Sequence, residues 1–427
     1  MLIVGIVFLI LLFLNMPVAF AIGVGSLMYF LMGSDLPIEL TTQRMVAGTQ
    51  SFPLLAVPFF VLAGNLMNAA GITDRLIRFS NALTGHLQGS LAHVSIVLST
   101  VMGGVSGSAN ADAAMQSRIL GQKMIDRGYS GGYSASVIAI SSLITATIPP
   151  SIGLILYGYV GQVSIGKLFL AGIIPGLLMM VVLMLVSYFI AKKRGYDANV
   201  ERKRATFGEV MQTLKESIWA LMFPLILIVG IRFGIFTASE AGAFAVVYAL
   251  IIGFFVYKEM TWKNCKEAIS QSVTDNASIL LIISVSSILG FLITYDRLPQ
   301  TAADFLIGIT TNGSLMIILI LVFLVVAGMF IESTVLVLLL TPIFLPVVQQ
   351  VGVDPVHFGI LMMTIVTFGG MTPPVGVTMY TTTSIMKVPL EEYIKESIPF
   401  ILGVLVLVLI LTFIPSLVMF LPNLLMK

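Results

Sequence analysis

Two long apolar stretches of the sequence are each interrupted near the middle by polar side chains, and these interruptions hold the residues best suited to chemistry. The first interruption, within 91–127, contains Ser106, Gly107, Ser108, Asn110 and Asp112, and the second, within 314–350, contains Glu332, Ser333 and Thr334. A charge at membrane depth is expensive, so Asp112 and Glu332 are functional candidates by default. The hydroxyl and amide oxygens beside them are neutral ligands that suit a dehydrated monovalent cation.

Two proline pairs break two further apolar blocks. Pro149-Pro150 and Pro373-Pro374 each remove backbone donors and disfavour helix in the residue before them. The carbonyl groups that lose intrahelical partners are those around Ala146, Thr147, Gly370 and Met371. Irregular backbone at membrane depth must line a cavity or be buried in protein, so we expect both breaks and both interruptions to converge on one polar centre. The alternative is structural: the Ser, Gly and Asn residues at the interruptions would then serve close helix packing and interhelical hydrogen bonds.

The half-helices that restart after the two interruptions present partly positive N-terminal ends, which suit a carboxylate. We therefore predict that an acidic solute binds between the interruptions. The residues expected to contact it are Ser108, Asn110, Asp112, Ser333 and Thr334.

The interruptions and breaks belong to an internal repeat in which five pairs of residues share one offset of 224 positions. The matching pairs are Pro150 and Pro374, Gly104 and Gly328, Asn110 and Thr334, Gly128 and Gly352, and Pro175 and Pro399. Two spans and a basic loop separate the halves, so the first repeat starts outside and the second starts inside. Inverted repeats of this kind are typical of transporters.

The elements that must position these residues are predicted to be membrane helices. Of 427 residues, 58% are apolar and 10% charged, which excludes an ordinary soluble domain, and a net charge of +2 does not suggest nucleic acid. Spans are predicted near 2–31, 53–70, 133–160, 167–191, 217–235, 238–258, 276–295, 356–386 and 398–423, with 91–127 and 314–350 as re-entrant helical hairpins. The first block is expected to be retained structure, although Asn15-Met16-Pro17 allows two helices there.

The positive-inside rule sets the orientation. The polar stretch 191–215 carries Lys192, Lys193, Arg194, Arg202, Lys203, Arg204 and Lys215 and is placed in the cytoplasm. The sequence then divides into 1–52, an N-terminal scaffold helix or helix pair; 53–191, the first repeat; 192–275, the basic loop and two linking helices; and 276–427, the second repeat. The predicted fold is an all-α polytopic membrane protein with an inverted-topology repeat and two re-entrant hairpins.

Charged residues outside the interruptions have simpler interpretations. Thr237 and Glu240 have the spacing of a capping box, and Arg232 lies near a membrane face, where it can reach the headgroups. Asp74-Arg75 and Asp296-Arg297 precede the hairpins and are expected on surface helices, either as arms of a moving unit or as interfacial anchors. If Arg75 and Arg297 are only anchors, neutralising them is expected to spare transport.

Six motifs stand in order along the chain: SFPLLAVPFF at 51–60, SGSANAD at 106–112, IPPS at 148–151, KLF with AG at 167–172, SEAG at 239–242 and TPP at 372–374. Through them the sequence resembles, essentially end to end, the large membrane subunit (M subunit, DctM family) of tripartite ATP-independent periplasmic (TRAP) transporters. The resemblance implies an elevator-type ion transporter fold in the bacterial inner membrane. It also implies two partners, a small four-helix membrane subunit and a periplasmic binding protein that delivers the solute.

The resemblance further implies Na⁺ as the coupling ion, and no other metal. The sodium-binding residues it implies are Ser106, Gly107, Ser108, Asn110, Thr147 and Pro149 in the first repeat, and Gly328, Glu332, Thr334, Met371, Thr372 and Pro373 in the second. Two positions depart from the family pattern: Glu332 stands where relatives commonly have Asp, and Ala238 replaces a proline. The first departure leaves the role of that carboxylate open.

Other functional classes predict different features. A single-component sodium/carboxylate symporter would share the repeat and hairpins but would work without a binding protein. An ion channel needs a continuous polar pathway, and an intramembrane enzyme needs a catalytic constellation, neither of which the sparse breaks suggest. The chain has no phosphate-binding G-x-x-x-x-G-K-[ST] loop and one cysteine, Cys265, so it is expected neither to hydrolyse ATP nor to form an internal disulfide. The resemblance to the TRAP family implies that the solute is a C4-dicarboxylate, a 2-oxo acid, a sugar acid or sialic acid.

Overall fold

The computed structural model describes residues 2–14, 16–32, 36–198, 204–310 and 312–426. Within these residues the secondary structure is helical and contains no strand. The helices are α1 Leu2–Phe13, α2 Val18–Leu31, α3 Glu39–Thr49, α4 Ala56–Ala69, α5 Ile72–Thr84, α6 Ser90–Gly103, α7 Ala109–Gln116, α8 Gln122–Asp126, α9 Gly131–Thr147, α10 Ile152–Gly161, α11 Ile165–Arg194, α12 Phe207–Arg232, α13 Ala238–Ile251, α14 Trp262–Tyr295, α15 Leu298–Ile309, α16 Gly313–Gly328, α17 Ser333–Gln350, α18 Pro355–Gly369, α19 Val377–Met386, α20 Leu390–Phe413 and α21 Pro415–Leu425.

The predicted all-α polytopic fold is confirmed. Seven helices among the described residues are long and apolar enough to cross a membrane, and up to nine if each bent helix pair counts as one span. The long helices follow the predicted spans, but three of them, α12, α14 and α20, begin well before the predicted start. Helix α12 starts at a capping box formed by Thr206 and Glu209, and α14 starts at the Thr261 cap, so both helices extend into polar sequence on the side predicted to be cytoplasmic.

Of the two alternatives left open for 2–31, the structure has the helix pair, because α1 and α2 are separate helices. Pro17 stands just before α2, where its fixed φ and missing donor are tolerated. The two helices pack together at Gly25, where an added Cβ would lie 3.3 Å from the Val4 carbonyl oxygen. Asn15, the other residue of the proposed break, lies outside the described residues.

The repeat reappears in the order of the elements. In the first repeat, α6 and α7 form a hairpin, α9 and α10 form a broken helix bent by 45°, and α11 follows. In the second repeat the same order is α16 and α17, then α18 and α19, then α20. The starts of α7 and α17, at Ala109 and Ser333, keep the offset of the sequence repeat, as do those of α9 and α18 at Gly131 and Pro355.

The hairpins and broken helices interlock across the two repeats. Helix α7 packs on α9 of its own repeat and on α19 of the other, while α17 packs on α18 and on α10. Each hairpin therefore contacts its own broken helix and the distal half of the other one. This exchange brings both hairpin tips and both proline breaks to one region of the fold.

The helix α14 runs beside this region and is the longest element. Its 34 residues correspond to about 50 Å at 1.5 Å per residue, enough to cross the whole membrane. Helix α3, which the sequence did not predict, packs on it: the Ser284 hydroxyl donates to the Met45 carbonyl oxygen at 3.1 Å. Most side chains of α3 are exposed and it carries no apolar stripe, so periodicity gave no signal for it.

Candidate functional site

A cavity of about 360 Å³ lies where the two hairpin tips meet the two broken helices. The first tip contributes Gly107, Ser108, Ala109 and Asn110, the second contributes Glu332, Ser333 and Thr334, the broken helices contribute Ala146, Ile152, Gly153, Met363, Thr367, Gly370, Val377 and Thr378, and α14 contributes Asp275, Ser278, Ile279 and Ile282. The structure thus brings together residues from both halves of the chain that the sequence singled out.

The first tip is pressed against the first proline break. Gly107 has φ +61°, and a Cβ placed on it would lie 2.1 Å from the Pro150 carbonyl oxygen, so only glycine fits there. The Ser108 hydroxyl accepts from the Ala111 amide at 3.4 Å and begins α7. The Ser106 hydroxyl is buried and has no hydrogen-bond partner among the described residues. A buried hydroxyl without a partner at this tip fits the predicted cation ligand set.

Asn110 links the first tip to the second repeat. Its side-chain oxygen accepts a hydrogen bond from the Thr378 hydroxyl near the start of α19. The Thr378 amide donates in turn to the Gly370 carbonyl oxygen at 2.8 Å, at the second break. This chain of two bonds connects the first tip to the backbone of the second proline break.

The second tip is organised by Glu332, whose carboxylate closes the N-terminus of α17. It accepts from the Thr334 amide at 2.8 Å and the Val335 amide at 3.3 Å. The hydroxyls of Ser333 and Thr334 donate to its other oxygen at 3.1 and 2.9 Å. A carboxylate at a helix N-terminus is favourable, and the longer Glu side chain here curls back onto its own tip. Its hydrogen bonds in the structure are all local to that tip.

The second break is held by backbone contact and by a tyrosine. A Cβ on Gly369 would lie 2.6 Å from the Gly328 Cα, so α16 and α18 touch through two glycines. The Tyr393 hydroxyl donates to the Met371 carbonyl oxygen at 2.7 Å, and the Thr372 hydroxyl donates to the Gly369 carbonyl oxygen at 2.8 Å. One freed carbonyl group predicted as a cation ligand is therefore already used by a side-chain donor.

Asp112 does not line the cavity, and its predicted contact with solute is not supported by its position. Its side chain is 1% exposed and lies behind the first tip. One carboxylate oxygen accepts from the Ser99 hydroxyl at 2.7 Å, the Thr145 hydroxyl at 2.8 Å and the Gln116 amide at 2.9 Å. These donors join α6, α7 and α9, so Asp112 fixes the first hairpin to its broken helix.

Sequence reasoning missed several cavity residues. One of them is Asp275, whose carboxylate accepts hydrogen bonds from Asn65 at 3.1 Å and Gln271 at 2.8 Å. In the sequence, Asp275 stands at the end of the predicted linking segment 192–275, outside the predicted second repeat. Its signal was a lone carboxylate at the edge of an apolar block. Thr367 and Thr378 gave no signal, because hydroxyls are common in membrane helices.

The residues read as structural lie outside the cavity. The Thr237 and Glu240 capping box is present as predicted. Arg232 donates to the Leu425 carbonyl oxygen at 3.3 Å. Arg75 forms an ion pair with Glu259 at 2.7 Å and stacks on the Tyr257 ring at 3.9 Å, which anchors α5 to the segment before α14.

Comparison with known proteins identifies the family. Residues 5–417 match the model of the DctM component of tripartite ATP-independent periplasmic transporters. The chain belongs to the DctM family. The sialic acid TRAP transporter large permease protein SiaM of Vibrio cholerae is 38% identical over 97% of this chain and 96% of its own length. The C4-dicarboxylate TRAP transporter large permease protein DctM of Pseudomonas aeruginosa is 30% identical over 94% of both chains.

Among solved structures, the YdaH transporter of Alcanivorax borkumensis shares the fold, with a TM-score of 0.61 and 13% identity over 97% of this chain and 98% of the other. The family match makes the chain the large permease subunit of a TRAP transporter, a multi-pass protein of the bacterial inner membrane and not an enzyme.

The charge of the cavity constrains how such a permease can work. Its lining contains two carboxylates, Asp275 and Glu332, and no Lys, Arg or His among the described residues. An anionic solute placed beside either carboxylate in its ionised form is repelled, since unit charges 4 Å apart interact by about 4 kcal/mol at an effective dielectric constant of 20. Bound cations would reverse this repulsion.

Proposed function

We propose that this permease imports an organic acid together with Na⁺, and that the two ions share the cavity between the hairpin tips. The observation that carries the proposal is the convergence of both tips and both proline breaks on one cavity with carboxylate, hydroxyl and amide oxygens but no basic side chain. Sodium is cargo in this scheme. It is held by the neutral oxygens of the tip and break residues predicted as sodium ligands. Its positive charge makes binding of an anion in the cavity favourable.

Coupling follows from the charge argument. If bound sodium raises the affinity for the anion, the anion must raise the affinity for sodium by the same factor. Either ion alone then binds weakly, which prevents the sodium gradient from running down without solute. The Asn110 and Thr378 hydrogen bond supports cooperation between the two predicted sodium sites, because it connects the first tip to the second break.

Movement in the proposal follows the elevator scheme. The hairpins and broken helices interlock and move as one unit, while α12, α13 and α14 remain as scaffold. The ion pairs of Arg75 with Glu259 and of Arg78 with Glu216, at 2.7 and 3.3 Å, tie α5 to this scaffold and support a role for α5 as an arm. The Arg75 guanidinium holds the pKa of Glu259 below its usual value, so this tie persists down to acidic pH.

The proposed solute is an organic acid that a periplasmic binding protein delivers, and a small four-helix membrane subunit completes the transporter. The names of the relatives support this class, since one is a sialic acid permease and another a C4-dicarboxylate permease. Both solutes carry carboxylates, which the amide-rich N-terminal end of α7 suits.

Uptake into proteoliposomes tests the proposal. The permease and its small partner are reconstituted, and accumulation of N-acetylneuraminate and of succinate is followed with and without an inward sodium gradient and the cognate binding protein. We expect accumulation only when both are present. Uptake driven by sodium without the binding protein would indicate a single-component symporter, and uptake indifferent to sodium would refute the coupling.

A further inference from the structure

A second cavity, of about 300 Å³, lies next to the first along the same helix. The first cavity is lined on α14 by Asp275, Ser278 and Ile282, and the second by Ile283, Ser286 and Gly290. Successive turns of one helix therefore lead from one cavity to the other, with a rise of about 6 Å between Ile282 and Ser286. Helix α10 follows the same course, because Ile152 lines the first cavity and Tyr159 lines the second.

The second cavity is on the periplasmic side of the first. Lys258 precedes helix α14, and Lys263 and Lys266 lie in its first two turns; the positive-inside rule places all three at the cytoplasmic side. The second cavity is lined by residues nearer the opposite end of that helix. A solute that enters from the periplasm along α14 meets this cavity before it reaches the hairpin tips.

The second cavity contains what the first one lacks, a basic side chain. Arg44 of α3 lines it, with its guanidinium carbon 4.2 Å from the centre of the Phe291 ring. Among the described residues, no carboxylate lies within ion-pair distance of Arg44, and its side chain is exposed. A guanidinium stacked on a ring and free of an acidic partner is oriented to bind a carboxylate through two parallel hydrogen bonds.

A second observation points to a ligand in the same place. Ser286 also lines the cavity, is 6% exposed, and its hydroxyl has no hydrogen-bond partner among the described residues. A buried hydroxyl without a partner costs about 1–3 kcal/mol, so a ligand acceptor that reaches it recovers that cost. The neighbouring Ser287 hydroxyl already donates to the Ile283 carbonyl oxygen at 2.9 Å, so Ser286 is the available donor.

We infer that the second cavity is an anion-capture site, in which Arg44 and Ser286 bind the carboxylate of the solute before it moves to the cavity between the tips. The inference rests on the proposed import of an organic acid. The two cavities have different roles. Arg44 attracts the anion at the periplasmic side, and the first cavity, between the hairpin tips, binds it only after cations are bound. Arg44 thus contributes to the affinity and the charge selectivity of entry.

Charge-selective labelling tests this site without measuring transport. Cys265 is replaced by serine, Ser286→Cys is introduced, and the labelling rates of an anionic sulfonatoethyl and a cationic trimethylammonioethyl methanethiosulfonate are compared, each corrected for its reaction with a free thiol. We expect the anionic reagent to be favoured on the order of tenfold, as for other ion-focusing clefts. Arg44→Gln is expected to abolish this preference, and Arg44→Lys to keep part of it.

The matched control is Arg297→Gln, which removes an exposed arginine at the same end of α14 that lines neither cavity. It is expected to leave the labelling preference unchanged. An anionic preference that survives Arg44→Gln, or a Ser286→Cys variant that neither reagent labels, would overturn the inference.

Uptake provides the second readout. In the reconstituted transporter, Arg44→Gln is expected to raise the half-saturating concentration of loaded binding protein about tenfold while the maximal rate changes little. Binding of the solute-free binding protein to the permease in nanodiscs is expected to be unchanged, and its loss would assign Arg44 to docking instead. If wild type shows no sodium-driven uptake, the proposed function fails while the labelling result still decides whether an anion site exists.

Discussion

Replacing Gly107 by alanine is expected to raise the half-saturating sodium concentration for uptake on the order of a hundredfold. The left-handed backbone of Gly107 costs a non-glycine residue about 1–2 kcal/mol. Overpacking costs about 1–3 kcal/mol more, because the new Cβ would lie 2.1 Å from the Pro150 carbonyl oxygen. The tip relieves this strain by moving away from the break, so the cation-binding conformation is depopulated by that free energy.

The control for this variant is Gly128→Ala. Gly128 also has positive φ, at +84°, but nothing lies within 4 Å of a Cβ placed on it. It therefore carries the backbone strain without the contact between tip and break. We expect Gly128→Ala to destabilise the fold slightly and to leave the sodium dependence of uptake unchanged. An equal loss of sodium affinity in both variants would show that the contact with Pro150 is not what matters.

Replacing Gly369 by alanine is expected to lower the rate of uptake by displacing the hairpin of the second repeat. The Cβ would lie 2.6 Å from the Gly328 Cα and carbonyl carbon, where no flexible side chain can give way. Helix α16 must move away from α18, and the second tip moves with it. We expect uptake to fall on the order of tenfold or more at saturating sodium, because overpacking of a few kcal/mol displaces Ser333 and Thr334, the residues proposed to bind solute.

Gly308→Ala provides the matched control, since Gly308 lies in α15 with open space around its Cβ position. Alanine is the better helix former by about 1 kcal/mol, so this variant is expected to be at least as stable as wild type and equally active. Both variants are assayed for uptake and for thermal stability in detergent. Full activity of Gly369→Ala would contradict the view that the two glycines hold the second hairpin against its broken helix.

Much of the fold was predictable because membrane helices and their breaks follow simple rules. Apolar length indicated the spans, the proline pairs located the broken helices, and the constant offset between Asn110 and Thr334 revealed the repeat. Hairpins at 91–127 and 314–350 followed from polar tips in apolar surroundings. Irregular backbone at membrane depth must line a cavity or be buried in protein, and this rule predicted that the breaks would converge.

The sequence did not predict which of the candidate side chains face the cavity. Asp112 and Glu332 were equally good candidates, but Asp112 points to Ser99 and Thr145 behind its tip, whereas Glu332 lies in the cavity lining. Equivalent glycines also differ in contact: Gly104 approaches Pro224 of α12, and Gly328 approaches Gly369. Periodicity does not decide these orientations, because helices buried on several sides are apolar all round.

The sodium titration of solute uptake is the most direct test of the central claim that the two hairpin tips hold the coupling ions. Wild type, Asn110→Ala and Thr334→Ala are compared, with Thr301→Ala as the control because its exposed hydroxyl bonds only to the Arg297 carbonyl oxygen of its own helix. We predict that each tip variant raises the half-saturating sodium concentration about tenfold, because the loss of one ligand interaction worth about 1.4 kcal/mol weakens binding by that factor. The control is expected to match wild type. Unchanged sodium dependence in both tip variants would contradict the account.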